Sequence, residues 1–225
     1  MVVLSGAGVS VESGLQTFRD SGGLAGSSMT YTRWLHRRPG PAIPKWYRNF
    51  TTSAENSYSP VKPNDAHRYL ARLPRECGGS NNNPNIDDLH ERAGSNKVMH
   101  LHGELLKARS TLDENLVYDI KGWEFKLGAK CERGSQLRPH VVWFGEMVPM
   151  IEPAAELSSP GRPSNSGGNL IGGLSSGRTG SPRITRHPVI LIDPDDVPTS
   201  GLPNVYHIKQ PATSGVRLLL SEIWV

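Results

Sequence analysis

The chain has 225 residues, 36% hydrophobic and 20% charged, with a net charge of +4. That length supports one sizeable domain, or one domain with a small inserted lobe. Two cysteines, Cys77 and Cys131, with no C-x-x-C pair exclude a four-thiolate zinc site and argue against a disulfide framework.

The absence of any 18-residue apolar run gives no membrane span. Met1 leads straight into an apolar segment without a basic leader, and the cysteine usage suits a reducing compartment, so a cytoplasmic location is expected. Lys and Arg are scattered rather than gathered into a basic run, which argues against nucleic acid as a partner.

In chain order, Val2-Val3-Leu4 reads as a buried parallel strand entering a tight turn at Ser5-Gly6-Ala7-Gly8, with a helix beginning within residues 9–19. Residues 21–60 show no clear periodicity. Pro63-Asn64-Asp65-Ala66-His67, a P-N-x-x-H pattern, could be a plain helix cap. Residues 78–85, Gly-Gly-Ser-Asn-Asn-Asn-Pro-Asn, are expected to be loop and not a core strand. After them, Asp88 is placed to cap a short helix. His100 and His102 sit at i, i+2, where a strand would put both on one face; that spacing suggests metal, but no third ligand accompanies it. Val141-Val142-Trp143-Phe144 is a further expected strand, and the Ser, Gly, Pro and Arg-rich residues 158–187 resemble a linker. Strands follow at 188–194 and at Val205–Ile208, then a closing helix over Val216–Ile223. Strands alternating with helical or loop segments predict an α/β fold with a parallel sheet.

Four segments carry chemistry. Gly6-Ala7-Gly8 lets backbone N–H groups approach a pyrophosphate, whose charge a following helix N-terminus favours, although a lone G-x-G is also a plain turn and the spacing departs from the dinucleotide fingerprint. The longer stretch GAGVSVESGLQTFRD resembles the sirtuin signature GAGxSxxSGIxxFRD. Asn85 to Gly94, NIDDLHERAG, resembles the sirtuin N-I-D-x-L-H-x-x-A-G segment. His102-Gly103-Glu104-Leu105 resembles the sirtuin catalytic segment, and 138–146, RPHVVWFGE, resembles R-P-x-V-V-x-F-G-E. Tyr118-Asp119-Ile120-Lys121-Gly122-Trp123 is similar to the bacterial, CobB-type branch whose small lobe lacks zinc cysteines.

The resemblance implies a Rossmann-like parallel sheet in a large lobe (about 1–20, 61–104 and 139–225) and a small inserted lobe (about 21–60 and 105–138), together one sirtuin-type domain. It implies NAD as cofactor and an acyl-lysine protein or peptide as substrate, with the acyl group passing to ADP-ribose as nicotinamide and free lysine leave. His102 becomes the general base, a role suited to an imidazole. Asn85 and Asp87 face the nicotinamide end. The cofactor set is Gly6, Ala7, Gly8, Ser10, Phe18, Arg19, Asn85, Asp87, Gly172 and Ala212, and Val142, Phe144 and Gly145 lie beside the acyl-lysine. The alternative is a catalytically impaired NAD or ADP-ribose binding module of the same fold. Two departures bear on this. Asn83-Pro84-Asn85 stands where the family reads T-Q-N, and Ile171 to Ser176 only echoes its G-T-S motif. Tyr47-Arg48-Asn49-Phe50 does not match the Tyr-x-x-Arg of succinyl-lysine branches, so acetyl and succinyl both stay open.

Overall fold

The computed structural model describes residues 2–15, 61–77, 80–83, 85–122, 124–126, 128–142, 146–158, 169–172, 188–199 and 204–223. Strand β1 (Val2–Leu4) is followed by a single helical turn, α1 (Gly8–Val11), and then by α2 (Asp65–Cys77). β2 (Ser80–Asn83), α3 (Leu89–Arg92) and β3 (Val98–His100) come next. β4 (Gly103–Ser110), β5 (Val117–Asp119) and β6 (Leu137–Val141) form a separate antiparallel sheet, ordered β5-β4-β6. The chain then supplies α4 (Ile151–Ser158), β7 (Asn169–Gly172), β8 (Val189–Ile192), β9 (Val205–Ile208) and α5 (Ala212–Ile223).

The large sheet runs β3-β2-β1-β7-β8-β9, and every pairing in it is parallel. Counted within that sheet, the order is 3-2-1-4-5-6, the doubly wound arrangement in which ligands settle outside the carboxyl ends of the strands where the order reverses. Here the reversal lies between β1 and β7.

Two helices bury one face of this sheet. On α2, Ala66, Leu70 and Leu73 recur at helical spacing and are buried; on α5, Val216 and Leu219 do the same. Together with Val3, Val9 and Ile192 they make one core. Gly215 is small for a reason: a Cβ there would overlap the side chain of Ile192, so its absence lets α5 lie close on β8. At the start of α2, Asn64 Oδ1 accepts the N–H of His67 at 3.3 Å, the side-chain cap that the P-N-x-x-H pattern leads one to expect. The small sheet has its own core of Leu105, Ala108 and Phe125.

Three expectations need correction. Ser80–Asn83 is not loop but the strand between β1 and β3, its register fixed by Val2↔Ser80 and Asn81↔Val98. Asparagine has little strand preference, yet a segment with hydrogen-bonding partners on both sides is driven to extend by those neighbours. Asn169–Gly172, inside the expected linker, is likewise a strand, pairing β1 on one side and β8 on the other. The strand expected at Val141–Phe144 ends instead at Val141, starts at Leu137 and belongs to the antiparallel sheet. Residues 21–60 lie outside the described residues.

Candidate active site at the strand ends

The site is built from what emerges at the carboxyl ends of β1, β2 and β3. After β1 the chain turns tightly: Val9 N–H donates to Gly6 O and Ser10 N–H to Ala7 O, each at 3.1 Å. A Cβ on Gly8 would meet nothing within 4 Å, so the backbone of this turn faces open space. After β2 comes Asn85. Its amide Nδ2 donates to Gly6 O at 3.1 Å and to Ser10 Oγ at 3.3 Å, and Ser10 Oγ in turn donates to Asp87 Oδ2 at 3.0 Å. Asn85, Ser10 and Asp87 therefore form one hydrogen-bonded chain against the Gly6–Gly8 turn.

Beneath that chain is a second, more deeply buried layer. Ser5 Oγ donates to Asn83 Oδ1 at 3.2 Å and lies 3.0 Å from His90 Nε2. Asn83 Oδ1 also accepts the N–H of Asn85 at 3.0 Å, so Asn83 sets the path of the backbone into the site. His90 packs edge-on against His67, ring centres 4.8 Å apart, and His67 is held by Asn64, whose Nδ2 donates to Val9 O at 2.7 Å. Burial pushes His67 down to about 4 and His90 down to about 3, so both are neutral spacers at physiological pH. Asp87 is buried too, and burial holds its carboxyl above the usual carboxylate range, partly offset by the hydrogen bonds from Leu89 N–H and Ser10.

Asp87 also corrects the capping expectation. Asp88 occupies the N-cap position of α3 with no side-chain cap bond, whereas Asp87 Oδ1 accepts the N–H of Leu89 at 3.1 Å. The two histidines separate as well. His100 closes β3, while His102 stands exposed in the turn before β4, so no strand face is shared. No cluster suited to a metal ion occurs among the described residues.

His102 is placed by its neighbours. Its carbonyl accepts the N–H of Val142 at 2.8 Å, joining the β3–β4 turn to the end of β6. Gly103 follows with φ +86°, and a Cβ there would overlap the carbonyl oxygen of His140. A cavity of about 310 Å³ opens beside this turn, lined among others by His100, Leu101, Gly103, His140 and Val142. Below it, Glu146 is gripped by Arg109 from β4 at 3.2 Å and by Arg138 from β6 at 2.6 and 2.7 Å.

Of the residues expected from sequence, Gly6, Ala7, Gly8, Ser10, Asn85 and Asp87 come together directly. His102 and Val142 meet through their backbones at the next strand end. Gly172 ends β7, next to β1 across the switch point, and Ala212 opens α5. That helix start is tied back to the first loop, because Thr213 N–H donates to Glu12 Oε2 at 2.8 Å. Phe18, Arg19, Phe144 and Gly145 lie outside the described residues. Sequence reasoning missed Ser5, Asn83, His67, His90 and His100 as parts of the site. All five stand inside stretches singled out in the sequence, but nothing in a linear pattern says that His67 touches His90.

The donor set fits a dinucleotide: an open glycine turn for a pyrophosphate, with an amide and a carboxyl converging beside it. Comparison with known proteins decides the family. Residues 6–159 match the model of the Sir2 family. The chain belongs to the Sir2 family. It is 44% identical over 167 residues to an NAD-dependent protein deacylase of Helicobacter pylori, covering 70% of this chain and 66% of that protein. It is 42% identical to the NAD-dependent protein deacylase of Bacteroides thetaiotaomicron, covering 68% of each. The chain thus spans about two thirds of the length of these relatives. Among solved structures, it superposes on a Sir2 homologue in complex with NAD with TM-score 0.73 and 29% identity, covering 99% of this chain and 88% of that one. A mutant Sir2 homologue bound to 2′-O-acetyl ADP ribose gives TM-score 0.75 and 30% identity, covering 100% and 93%.

Proposed function

We infer that this protein is an NAD-dependent protein deacylase that takes the acyl group from a lysine side chain. The observation carrying this reading is the convergence of the Gly6–Gly8 turn, the Asn85–Ser10–Asp87 chain and His102 at the ends of three adjacent parallel strands. NAD supplies the ribose carbon that receives the acyl oxygen and gives up nicotinamide.

The protein's own groups divide the remaining work. Backbone N–H groups of the glycine turn hold phosphate oxygens at a place where no side chain intrudes. Asn85 and Asp87 position the nicotinamide end; Asn85 is pinned at its amide, and Asp87 is buried enough that its charge state responds to what sits beside it. His102, exposed in the turn before β4, accepts a proton from a ribose hydroxyl at a ring nitrogen. Val142 lines the wall that receives the acyl-lysine, its N–H already committed to His102. A water-poor cleft is required, since otherwise NAD would be hydrolysed without transfer. Acetyl-lysine in proteins is the substrate we expect first, succinyl-lysine second, in the cytoplasm.

The test is nicotinamide release from NAD with an acetyl-lysine peptide, for the native protein and His102→Ala. Release that requires the peptide and falls by about 10²–10⁴ in the variant is the expected result for a general base. NAD binding without peptide-dependent release would instead identify a binding module of the same fold.

A further inference from the structure

His100 has a role that the motif reading does not give it. It is the last residue of β3, its side chain only 9% exposed, two positions before His102. Its Nδ1 lies 3.0 Å from the carbonyl oxygen of Asn85 and its Nε2 2.6 Å from Glu91 Oε1 on α3. Both partners are acceptors, a carbonyl and a carboxylate. A neutral imidazole carries one N–H and can satisfy only one of them; the imidazolium carries two and satisfies both. The bonding pattern therefore specifies a cation at this position.

That cation stands behind the Asn85–Ser10–Asp87 chain. Asn85 is held at three points: its N–H by Asn83, its side chain by Gly6 and Ser10, and its carbonyl by His100. The charged groups facing His100 are Glu91 from α3, Glu104 from β4 and Asp87 from the turn before α3, with neutral His90 also near. The positive ring favours the ionised form of Asp87. Burial acts to lower the affinity of His100 for its second proton, but the bonds to Glu91 and Asn85 and the charges of Glu91 and Glu104 outweigh it, so the ring stays charged above the ordinary histidine range.

We propose that His100 is a positioning residue that works as an imidazolium strut between Asn85 and Glu91, and that loss of its proton releases Asn85 and weakens both NAD binding and nicotinamide expulsion. This rests on the reading that Asn85 and Asp87 face the nicotinamide end of NAD. The one remaining ring N–H stays with the Glu91 carboxylate, the stronger acceptor at 2.6 Å, so it is Asn85 O that loses its donor.

Histidine ¹⁵N spectra of the full chain, assigned with His100→Gln, read the state of the ring directly. Both ring nitrogens should be protonated at pH 6.5 and remain so after exposed histidines have titrated; a singly protonated His100 at pH 6.5 overturns the proposal. NAD affinity by calorimetry and nicotinamide release at saturating substrates are then followed from pH 6 to 9 in the native chain and in Glu91→Gln, which keeps an acceptor but removes its charge. The expected result is a several-fold loss of affinity and of kcat on the alkaline side, with the midpoint seen by NMR, and a common shift of both midpoints to lower pH in Glu91→Gln. An NMR midpoint that moves while affinity stays put overturns the strut. Calorimetry needs no turnover, so a native chain that binds NAD in this pH-linked manner yet releases no nicotinamide would support the strut and sink the deacylase reading separately.

Discussion

The strand-end site and the small antiparallel lobe use polar side chains in opposite ways. At the site, the hydrogen bonds Ser5–Asn83, Ser10–Asp87 and Asn85–Ser10 join residues 75 to 78 positions apart. In the small lobe the spans are shorter: Ser110 Oγ accepts the N–H groups of Leu112 and Asp113, Cys131 Sγ meets Ser135 Oγ four residues on, and the Ser110–Ser135 and Arg133–Asp113 pairs join residues 25 and 20 positions apart. Long-range bonds exist only when the whole parallel sheet is assembled, whereas local ones tie down turns. The geometry of the site is thus a property of the parallel sheet, and the small lobe has its own core.

Paired core truncations test that difference most strongly. Leu89, the first residue of α3, is fully buried, and Leu105 is buried in the small lobe. Each Leu→Ala change should cost about 2–5 kcal/mol of unfolding free energy in urea titrations. NAD affinity should separate them: reduced by an order of magnitude or so for Leu89→Ala, within about 2-fold of native for Leu105→Ala. Equal losses of affinity would mean that the lobe's core shapes the cofactor site as much as the sheet does.

A smaller effect is expected where the two regions meet. Gly103→Ala puts a Cβ onto the carbonyl oxygen of His140 and an L-residue at φ +86°. Strain and overlap together should cost about 3 kcal/mol and displace the His102 turn, lowering kcat as well as the melting temperature. A variant that melts like the native chain would show that the β3–β4 turn is free to move relative to β6.

How much of this was legible in the sequence follows the same division. β1, β8 and β9 are short apolar runs and could be read as such; so could α5, whose apolar spacing is helical. The glycine turn and the Asn85–Asp87 segment are contiguous motifs, and their residues do converge. β2 and β7 were not legible, because Ser80–Asn83 and Asn169–Gly172 become strands through pairing with neighbours rather than through their own preference. Asp87, not the expected Asp88, accepts the N–H at the start of α3, because spacing does not show which of two adjacent carboxylates turns inward. The histidine layer needed tertiary contact to be seen at all.

That layer gives an acid-side prediction of roughly 2 kcal/mol per histidine between pH 7 and pH 5. His67 and His90 have folded values of about 4 and about 3 against an ordinary 6.5. Between those values the unfolded chain binds more protons than the folded one, so their contribution is complete above pH 6.5 and is lost as pH falls towards 4 for His67 and towards 3 for His90. Asp87, raised by burial, acts in the opposite sense and offsets part of the loss. His100, also raised, contributes below 6.5 and loses its contribution as pH rises through its folded value. Stability should therefore peak near neutrality. Urea midpoints that match at pH 5 and pH 7 would remove the buried-histidine account, and His67→Gln should flatten the acid slope.

The smallest effect concerns Asn83 and would sharpen the comparison most. This residue is fully buried; its Oδ1 serves Ser5 and Asn85, while its Nδ2 is a buried donor without a hydrogen-bond partner. A buried unsatisfied donor costs about 1–3 kcal/mol. Asn83→Thr would remove that donor, supply a hydroxyl oxygen to the same neighbours, and place a β-branched residue in a strand. The lost volume works against these gains, so the net change should be a stabilisation of about 1 kcal/mol, with NAD affinity held or improved if the hydroxyl reaches Asn85 N–H. A destabilised variant with weaker NAD binding would show that the length of the asparagine side chain, not merely its acceptor, sets where the chain leaves β2 for the site.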